Sequence, residues 1–462
     1  MKPRIFSLAV LMLFVASARA EWRAAAQAVN ITPDESMWMA GYSARKGPGE
    51  GKSLDLFAKV LVLADGRDNK LAIVTMDLIG VPADLRREWE DAFNRLGIPP
   101  ANLVINASHT HSGPMIRLVP PFRPGQAPRA AYDRVPADQE AEYVRATQTF
   151  RTRLSNGVLT AARLCLGRLE PVELLFSQAR CGFSMNRRLH TERGFINSPN
   201  PVGPVDQAVP VLQIRDHQKR LQAILFGYAC HNTVLGFMTW SGDYAGWAQK
   251  FIEEDNPGAV AMFVTGCGGD QNPYPRRLAV WAERHGRSLA NAVAAGLEAN
   301  PQSVGDSLRT AFTRVDLDYA TPPTHAELEA KAKSKDRYDQ RHAELLLEYL
   351  DATGSLLKHY PYPVQAIRFG DQLTMITLGG EVVVDYSLRF KRELTTTPLW
   401  VAGYSNDVMG YIPSLRVLRE GGYEGGGAMR YVRAIPHPGP WAENVEERIA
   451  VTVHELYQQV SQ

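Results

Sequence analysis

Cysteine is scarce: 4 in 462 residues. Cys165, Cys181, Cys230 and Cys267 form no Cys-x-x-Cys knuckle, which excludes the structural zinc motifs built on that spacing. In an oxidising compartment they allow up to two disulfides, with three full pairings, or else buried free thiols, since a chain of this length needs no staples. Charge of one sign is also lacking. Lys and Arg total 51 against 49 Asp and Glu, and the net charge of +2 is interspersed, so no basic stripe offers itself to nucleic acid. Beyond the first twenty residues no run approaches the roughly 20 apolar residues that span a bilayer. No exposed basic amphipathic helix marks a membrane-surface protein. There is no internal repeat and no low-complexity tract. The loop Gly266-Cys267-Gly268-Gly269-Asp270 lacks the Gly-Lys-Ser/Thr ending of a phosphate cradle.

What is present begins with an export signal. Lys2 and Arg4 precede an apolar segment from Ile5 to Val15, and Ala18-Arg19-Ala20 supplies the small residues read by a signal peptidase. Residues 1–20 are therefore expected to be a signal peptide cut after Ala20, with the mature protein secreted or periplasmic. No cysteine follows the apolar segment, which argues against a lipid anchor there. About 440 residues remain, enough for one large or two tightly joined domains, and 21–462 reads as a single one.

Strand-like and helix-like runs alternate along most of this length, the pattern of a layered α/β protein with helices flanking a sheet core. Strands are expected at Phe57–Leu63, Leu71–Met76, Leu103–Ala107, Val209–Ile214, Leu221–Ala229, Ala259–Thr265, Ala366–Phe369, Leu373–Leu378 and Leu399–Ala402. Helices are expected at Ala83–Leu96, Glu140–Leu166, Ala245–Glu254, Arg276–Leu297, Ala326–Leu350 and Trp441–Gln459, the fifth as a solvated outer helix. Short polar turns at Asp65–Asn69, Asp216–Arg220 and Gly370-Asp371 read as hairpins, so the sheets should be mixed. Val119–Pro136, rich in Pro and Arg, reads as a long surface loop bordering a site.

The chemistry concentrates at strand ends. Leu103–Ala107 runs into Ser108-His109-Thr110-His111-Ser112-Gly113-Pro114. Residues i and i+2 of a strand share a face, so His109 and His111 project together towards a metal or a substrate. The alternative is a pair that only hydrogen-bonds to loops. Three further segments share the design, delivering His231 after Leu225–Cys230, Glu381 behind Gly379-Gly380, and Tyr411 after Ser405–Gly410. Ligands collect at strand carboxyl ends in layered α/β proteins, and a His, His, Glu, Tyr set suits a borderline-soft cation such as zinc with one position left for water.

These residues carry a resemblance to the neutral (alkaline, non-lysosomal) ceramidase family, whose zinc-dependent amidase domain has a His-Thr-His-Ser-Gly-Pro turn. Met185-Asn186-Arg187, Cys230-His231-Asn232, Gly266–Asp270 with Asn272-Pro273, Gly380-Glu381, and Asn406 to Tyr411 followed by Tyr423-Glu424-Gly425 resemble family elements in order along nearly the whole mature chain. The spacing of twelve residues from Tyr411 to Tyr423 matches as well. The resemblance implies that His109, His231, Glu381 and Tyr411 bind one zinc ion and that His111, Arg187 and Tyr423 line the reacting centre. Zinc would acidify a water and polarise a carbonyl. His111 would pass the proton to the leaving amine, while Arg187 and Tyr423 would donate to the oxyanion. Asp243 is expected to cap the helix that follows it, with a role in holding His231 as the second reading.

Two departures qualify what carries over. Asn272 stands where the family has a serine, so an acyl-enzyme through this position is excluded and Asn272 is left to hydrogen-bond to substrate. The chain also stops soon after Trp441–Gln459, where the family continues into a β-sandwich. The expected protein is a secreted zinc-dependent hydrolase of an N-acyl amide, ceramide-like by resemblance. Its partner would be a small or lipid amide, with no nucleic acid and no membrane insertion. The alternatives are a zinc hydrolase of another acyl, ester or carbohydrate-linked bond, and a catalytically silent zinc protein that binds a ligand.

Overall fold

The computed structural model describes residues 21–132 and 134–462, so the expected signal peptide lies outside the described residues. Two sheets face each other. The larger runs in the order Val260–Thr265, Leu221–Tyr228, Ala208–Arg215, Glu170–Arg180, Trp22–Asn30, Phe57–Ala64, Lys70–Met76, Leu103–Ala107, with Gln302–Ser303 pairing off Glu170–Arg180. Its interior pairs are antiparallel, but the outermost pair at each end is parallel. The smaller sheet is Leu308–Asp318, His359–Phe369, Leu373–Leu378, Leu399–Ala402, its last pair also parallel.

Apolar side chains from both sheets, among them Leu61, Ile73, Leu225, Met262, Ile367, Met375 and Trp400, interdigitate in one buried cluster. Helices Ala83–Asn94 and Glu140–Leu166 cover part of the outer face of the large sheet, and Asp243–Asp255 with Ala279–Glu298 covers another part. Val384–Glu393 and Val445–Ser461 cover the outer face of the small sheet. The result is the expected mixed α/β layering, with helices outside and sheets inside. The three expected hairpins all form.

The two edges of the large sheet meet. Thr265 Oγ1 donates to the Ala107 carbonyl at 2.7 Å, and the Thr265 amide donates to Asn106 Oδ1 at 2.9 Å. Asn106 Nδ2 bonds the Gly403 carbonyl at 2.8 Å, which brings in the end of the last strand of the small sheet. Beside it Asn406, in the left-handed region at φ 66°, pairs with Ile105 like one more strand residue. Its amide donates to the Ile105 carbonyl (2.7 Å) and its Oδ1 accepts from the Ile105 amide (3.1 Å) and from Arg86 Nη1 (2.7 Å). Asparagine tolerates this backbone region and supplies both halves of an amide bond, which explains the residue.

Two local expectations are corrected and one open alternative is resolved. Ala326–Leu350 is two helices, His325–Lys331 and Arg337–Thr353, because Asp336 caps the second by accepting from the Tyr338 and Asp339 amides. It is not merely a solvated exterior either, since Leu328, Ala343 and Leu346 are buried. Within Val119–Pro136, Leu118–Val119 pairs with Arg129–Ala130, and Tyr132 is buried with its hydroxyl on the Tyr42 carbonyl at 3.1 Å. All four cysteines are free and buried, so of the two sequence readings the thiol form is the one observed.

Two outcomes follow from this packing. Thiol reagent without reductant should label none of the cysteines in the native protein and all four after unfolding; a labelled count of two or none after unfolding would mean a disulfide. Asn406→Ala strands the buried Arg86 and the Ile105 amide, and should lower unfolding free energy by about 3 kcal/mol in chemical denaturation.

Candidate active site

The welded strand ends deliver their side chains to one point. The chain leaves the strand at Ala107 and turns sharply, with His109 in the left-handed region at φ 59°, so the turn and not a shared strand face brings His109 and His111 together. His109 Nδ1 faces the Ile79 carbonyl at 2.6 Å, and His231 Nδ1 faces the Gly268 carbonyl at 2.7 Å. Each carbonyl requires the proton on Nδ1, which leaves both Nε2 lone pairs unprotonated. Both point at Glu381 Oε2, at 3.1 Å and 3.2 Å. That oxygen is buried with no hydrogen-bond donor.

Glu381 and Tyr411 are set side by side by a two-residue parallel pairing, Glu381–Val382 with Tyr411–Ile412. Gly380 makes the approach at φ 71°, where a Cβ would lie 2.8 Å from the Gly410 carbonyl. The Tyr411 hydroxyl is 3.0 Å from His231 Nε2 and accepts from Arg187 Nη2 at 2.9 Å. His111 Nε2 is 3.3 Å from His109 Nε2, while its buried Nδ1 has no partner. Its ring is pressed against Gly41, at φ 98°, where a Cβ would fall 2.4 Å from His111 Cγ.

Three lone-pair donors thus face one another with no proton between them, an arrangement that a cation resolves. Ligands held tetrahedrally about 2.0–2.1 Å from zinc lie about 3.3 Å apart, close to the separations seen here. His109, His111 and His231 alone form a group whose ligand atoms lie within 4.8 Å of one another. The donor set therefore fits a divalent metal.

Electrostatics divides the roles. Burial, reinforced by His109 and His231, holds the His111 imidazole well below its usual pKa, so it is neutral. Burial also brings His231 down to about 3. For Glu381 burial acts to raise the pKa, but the imidazoles of His109 and His231 facing it outweigh burial and hold it well below the usual carboxylate range. Burial lifts the Tyr411 phenol well above its usual range, with Arg187 opposing.

Arg187 comes from strand Ser184–Thr191 and is wholly enclosed. Its Nε donates to Glu424 Oε1 at 2.8 Å and its Nη1 to Asn272 Oδ1 at 3.2 Å. Arg188 Nη1 donates to Glu424 Oε2 at 2.7 Å, so one carboxylate bridges two arginines. Asn272 is buried, and its Nδ2 is spent on Asn197 Oδ1 at 3.2 Å. Tyr423 is 39% exposed at the opening, its ring 5.2 Å from that of Tyr411. Every residue singled out from the sequence is thus gathered here. Asp243 is the exception in kind. It stands at the first position of its helix, where its Oδ1 accepts the first-turn Tyr244 amide at 2.7 Å as a cap does, while its Oδ2 braces the loop after His231 by accepting from the Leu235 amide at 2.8 Å. It makes no hydrogen bond to His231, whose Nδ1 is held by Gly268.

Sequence reasoning missed Glu424, Tyr42 and Tyr404, whose ring lies 4.6 Å from that of His109. Glu424 stood in the quoted Tyr-Glu-Gly element, and the adjacent pair Arg187-Arg188 on a strand was the available signal: two cations that enter a core need a buried anion.

The architecture is the neutral-ceramidase fold. The chain is similar to a ceramidase solved in complex with C2, at 16% identity and TM-score 0.69, over 96% of this chain and 76% of that one. It is similar to neutral ceramidase from Pseudomonas aeruginosa at 17% identity and TM-score 0.69, over 95% and 75%. No family model and no curated protein matches the sequence.

Glu424→Gln keeps the shape but leaves two buried guanidiniums without their anion. It should cost on the order of 3 kcal/mol of stability, and Arg188→Met in the same chain should restore part of it. Equal losses in the single and double variants would contradict the bridge.

Proposed function

We propose that the protein is an exported, zinc-dependent hydrolase of N-acyl amides, with His109, His231, Glu381 and Tyr411 as ligands. The observation that carries this reading is the buried Glu381 oxygen facing two imidazole lone pairs, within a fold shared with ceramidases. When bound, zinc supplies Lewis acidity that polarises the scissile carbonyl and lowers the pKa of a water to about 7.

The chain's own residues do the rest. His111, neutral and with its Nε2 turned to the donor cluster 3.3 Å from His109 Nε2, accepts a proton from the attacking water and returns it to the leaving amine. Tyr423 at the opening donates to the oxyanion, and Arg187 uses the N–H groups not committed to Glu424, Asn272 and Tyr411. Asn272 keeps Arg187 in place; with no hydroxyl it forms no acyl-enzyme. A second reading makes His111 a ligand in place of Tyr411, favoured by the closeness of the three histidines.

Metal analysis and turnover of a short N-acyl amide test both readings together. Wild type should hold one zinc; His109→Ala and His231→Ala should lose it. His111→Ala should keep the zinc but lose about a hundredfold or more in turnover. Full activity in metal-free protein would overturn the proposal. An empty site in His111→Ala would decide for the three-histidine centre.

A further inference from the structure

Apart from the donor cluster, the chain encloses a cavity of about 600 Å³, within the roughly 300–1,000 Å³ typical of small-molecule sites. None of His109, His111, His231, Glu381 or Tyr411 lines it. Two segments connect it to that cluster. Pro82 and Ala83 line the cavity, while Ile79, three residues before Pro82, accepts from His109. Asp407 and Val408 line it too, and the Asp407 carbonyl accepts from the Gly380 amide at 2.7 Å, next to Glu381. The lining also draws on the pair Leu118–Val119 through Leu118, and on strand His359–Phe369 through Tyr360, Pro361 and Pro363.

The lining is apolar with cations set into it. Pro82, Pro120, Pro121, Pro128, Pro361 and Pro363 meet Leu118, Val408 and Ile435 there. Proline has a fixed ring and no N–H, so these positions give an alkyl group a rigid contact and an anion no donor. Donors come instead from five arginines, set against the three acids Asp84, Glu88 and Asp407. Three of the arginines are engaged. Glu90 Oε1 accepts from Arg86 Nε at 2.8 Å and from Arg314 Nη2 at 2.6 Å, and Asp84 Oδ2 accepts from Arg151 Nη2 at 2.7 Å. Arg87 and Arg117 form no ion pair among the described residues; Arg117 donates to the Val408 carbonyl, and its Nε is buried without a partner. Both guanidiniums act on the buried Asp407, whose Oδ2 accepts from Tyr360 at 2.6 Å. With Asp84 and Asp407 engaged and Glu88 exposed, a cation finds no enclosed acid to itself.

We infer that this cavity is a second binding site and that its ligand is an aliphatic carboxylate. The prolines and aliphatic side chains take the alkyl chain, while Arg87 and Arg117, which converge on Asp407, take the carboxylate. A guanidinium presents paired N–H donors in the plane that a carboxylate needs. Two unpaired guanidiniums beside one engaged acid leave a single positive charge to be met, which matches a monoanion. Carboxylic acids are what the proposed amide hydrolysis releases, yet the site stands without that reading, because no member of the donor cluster lines it.

The test titrates zinc-loaded full-length protein with sodium dodecanoate below its micelle concentration, with acetate and dodecyltrimethylammonium for comparison, by isothermal titration calorimetry. Dodecanoate should bind about tenfold or more tighter than either comparison ion. Arg87→Glu and Arg117→Met should each weaken it by about tenfold or more, with zinc content and thermal transitions unchanged. Arg87 is exposed on its helix, so Arg87→Glu keeps the test decisive if Arg117→Met fails to fold. Binding should persist in His109→Ala, which removes a donor of the zinc site. No binding, equal affinity for either comparison ion, or indifference to Arg87→Glu would overturn the inference. Loss of binding in folded His109→Ala would place the acid at the donor cluster and overturn it as well. Arginine-dependent binding by a protein that cleaves no amide would uphold the cavity site and remove only the amidase reading.

Discussion

Thr265, Asn106 and Asn406 hold three strand ends together in the dry interior, and the position of every donor in the site follows from that junction. The large sheet coils until its two parallel edges meet, and Thr265 reaches across to Ala107. The last strand of the small sheet joins through Asn106 and Gly403. His109 sits two residues beyond one end, His231 three residues beyond Tyr228, and Tyr411 on the loop that leaves the third. Buried amide and hydroxyl groups of this kind must all be satisfied, which makes the junction specific as well as strong. An apolar seam of equal area would allow the edges to slide and would not fix where the imidazoles arrive.

The site exploits this rigidity by creating an electrostatic conflict. Two Nδ1–H groups are tied to backbone carbonyls, so the Nε2 lone pairs have nowhere to turn, and the Glu381 oxygen is held against them by its pairing with Tyr411. Beside it the Arg187–Glu424–Arg188 bridge presses a permanent positive charge on the Tyr411 phenol. A cation accommodates the first arrangement, and the guanidinium favours the ionised form of the phenol.

Much of this was legible in the sequence because the signals were local. Buried strands such as Leu103–Ala107 and Leu373–Leu378 are predominantly apolar runs with the boundaries expected, and polar turns such as Gly370-Asp371 named their hairpins. The ligand candidates each followed such a run. What escaped was decided at a distance. Trp22–Asn30 is rich in alanine and becomes a strand only because Phe57–Ala64 and Glu170–Arg180 flank it. Ser184–Thr191 carries adjacent arginines whose anion lies more than two hundred residues away in Glu424. Leu308–Asp318 alternates weakly and is fixed by pairing along its whole length with His359–Phe369. Val384–Glu393 opens on Val-Asp-Tyr, which reads as the continuation of a strand until Asp270 accepts from the Val384 amide.

The central claim is that the point between His109 Nε2, His231 Nε2 and Glu381 Oε2 is a metal centre. Anomalous diffraction above and below the zinc edge, from crystals of protein supplied with zinc, measures this directly. A single peak about 2.0–2.2 Å from those three atoms is the predicted result. Full zinc saturation with no peak there, or with the peak at other side chains, would contradict the account.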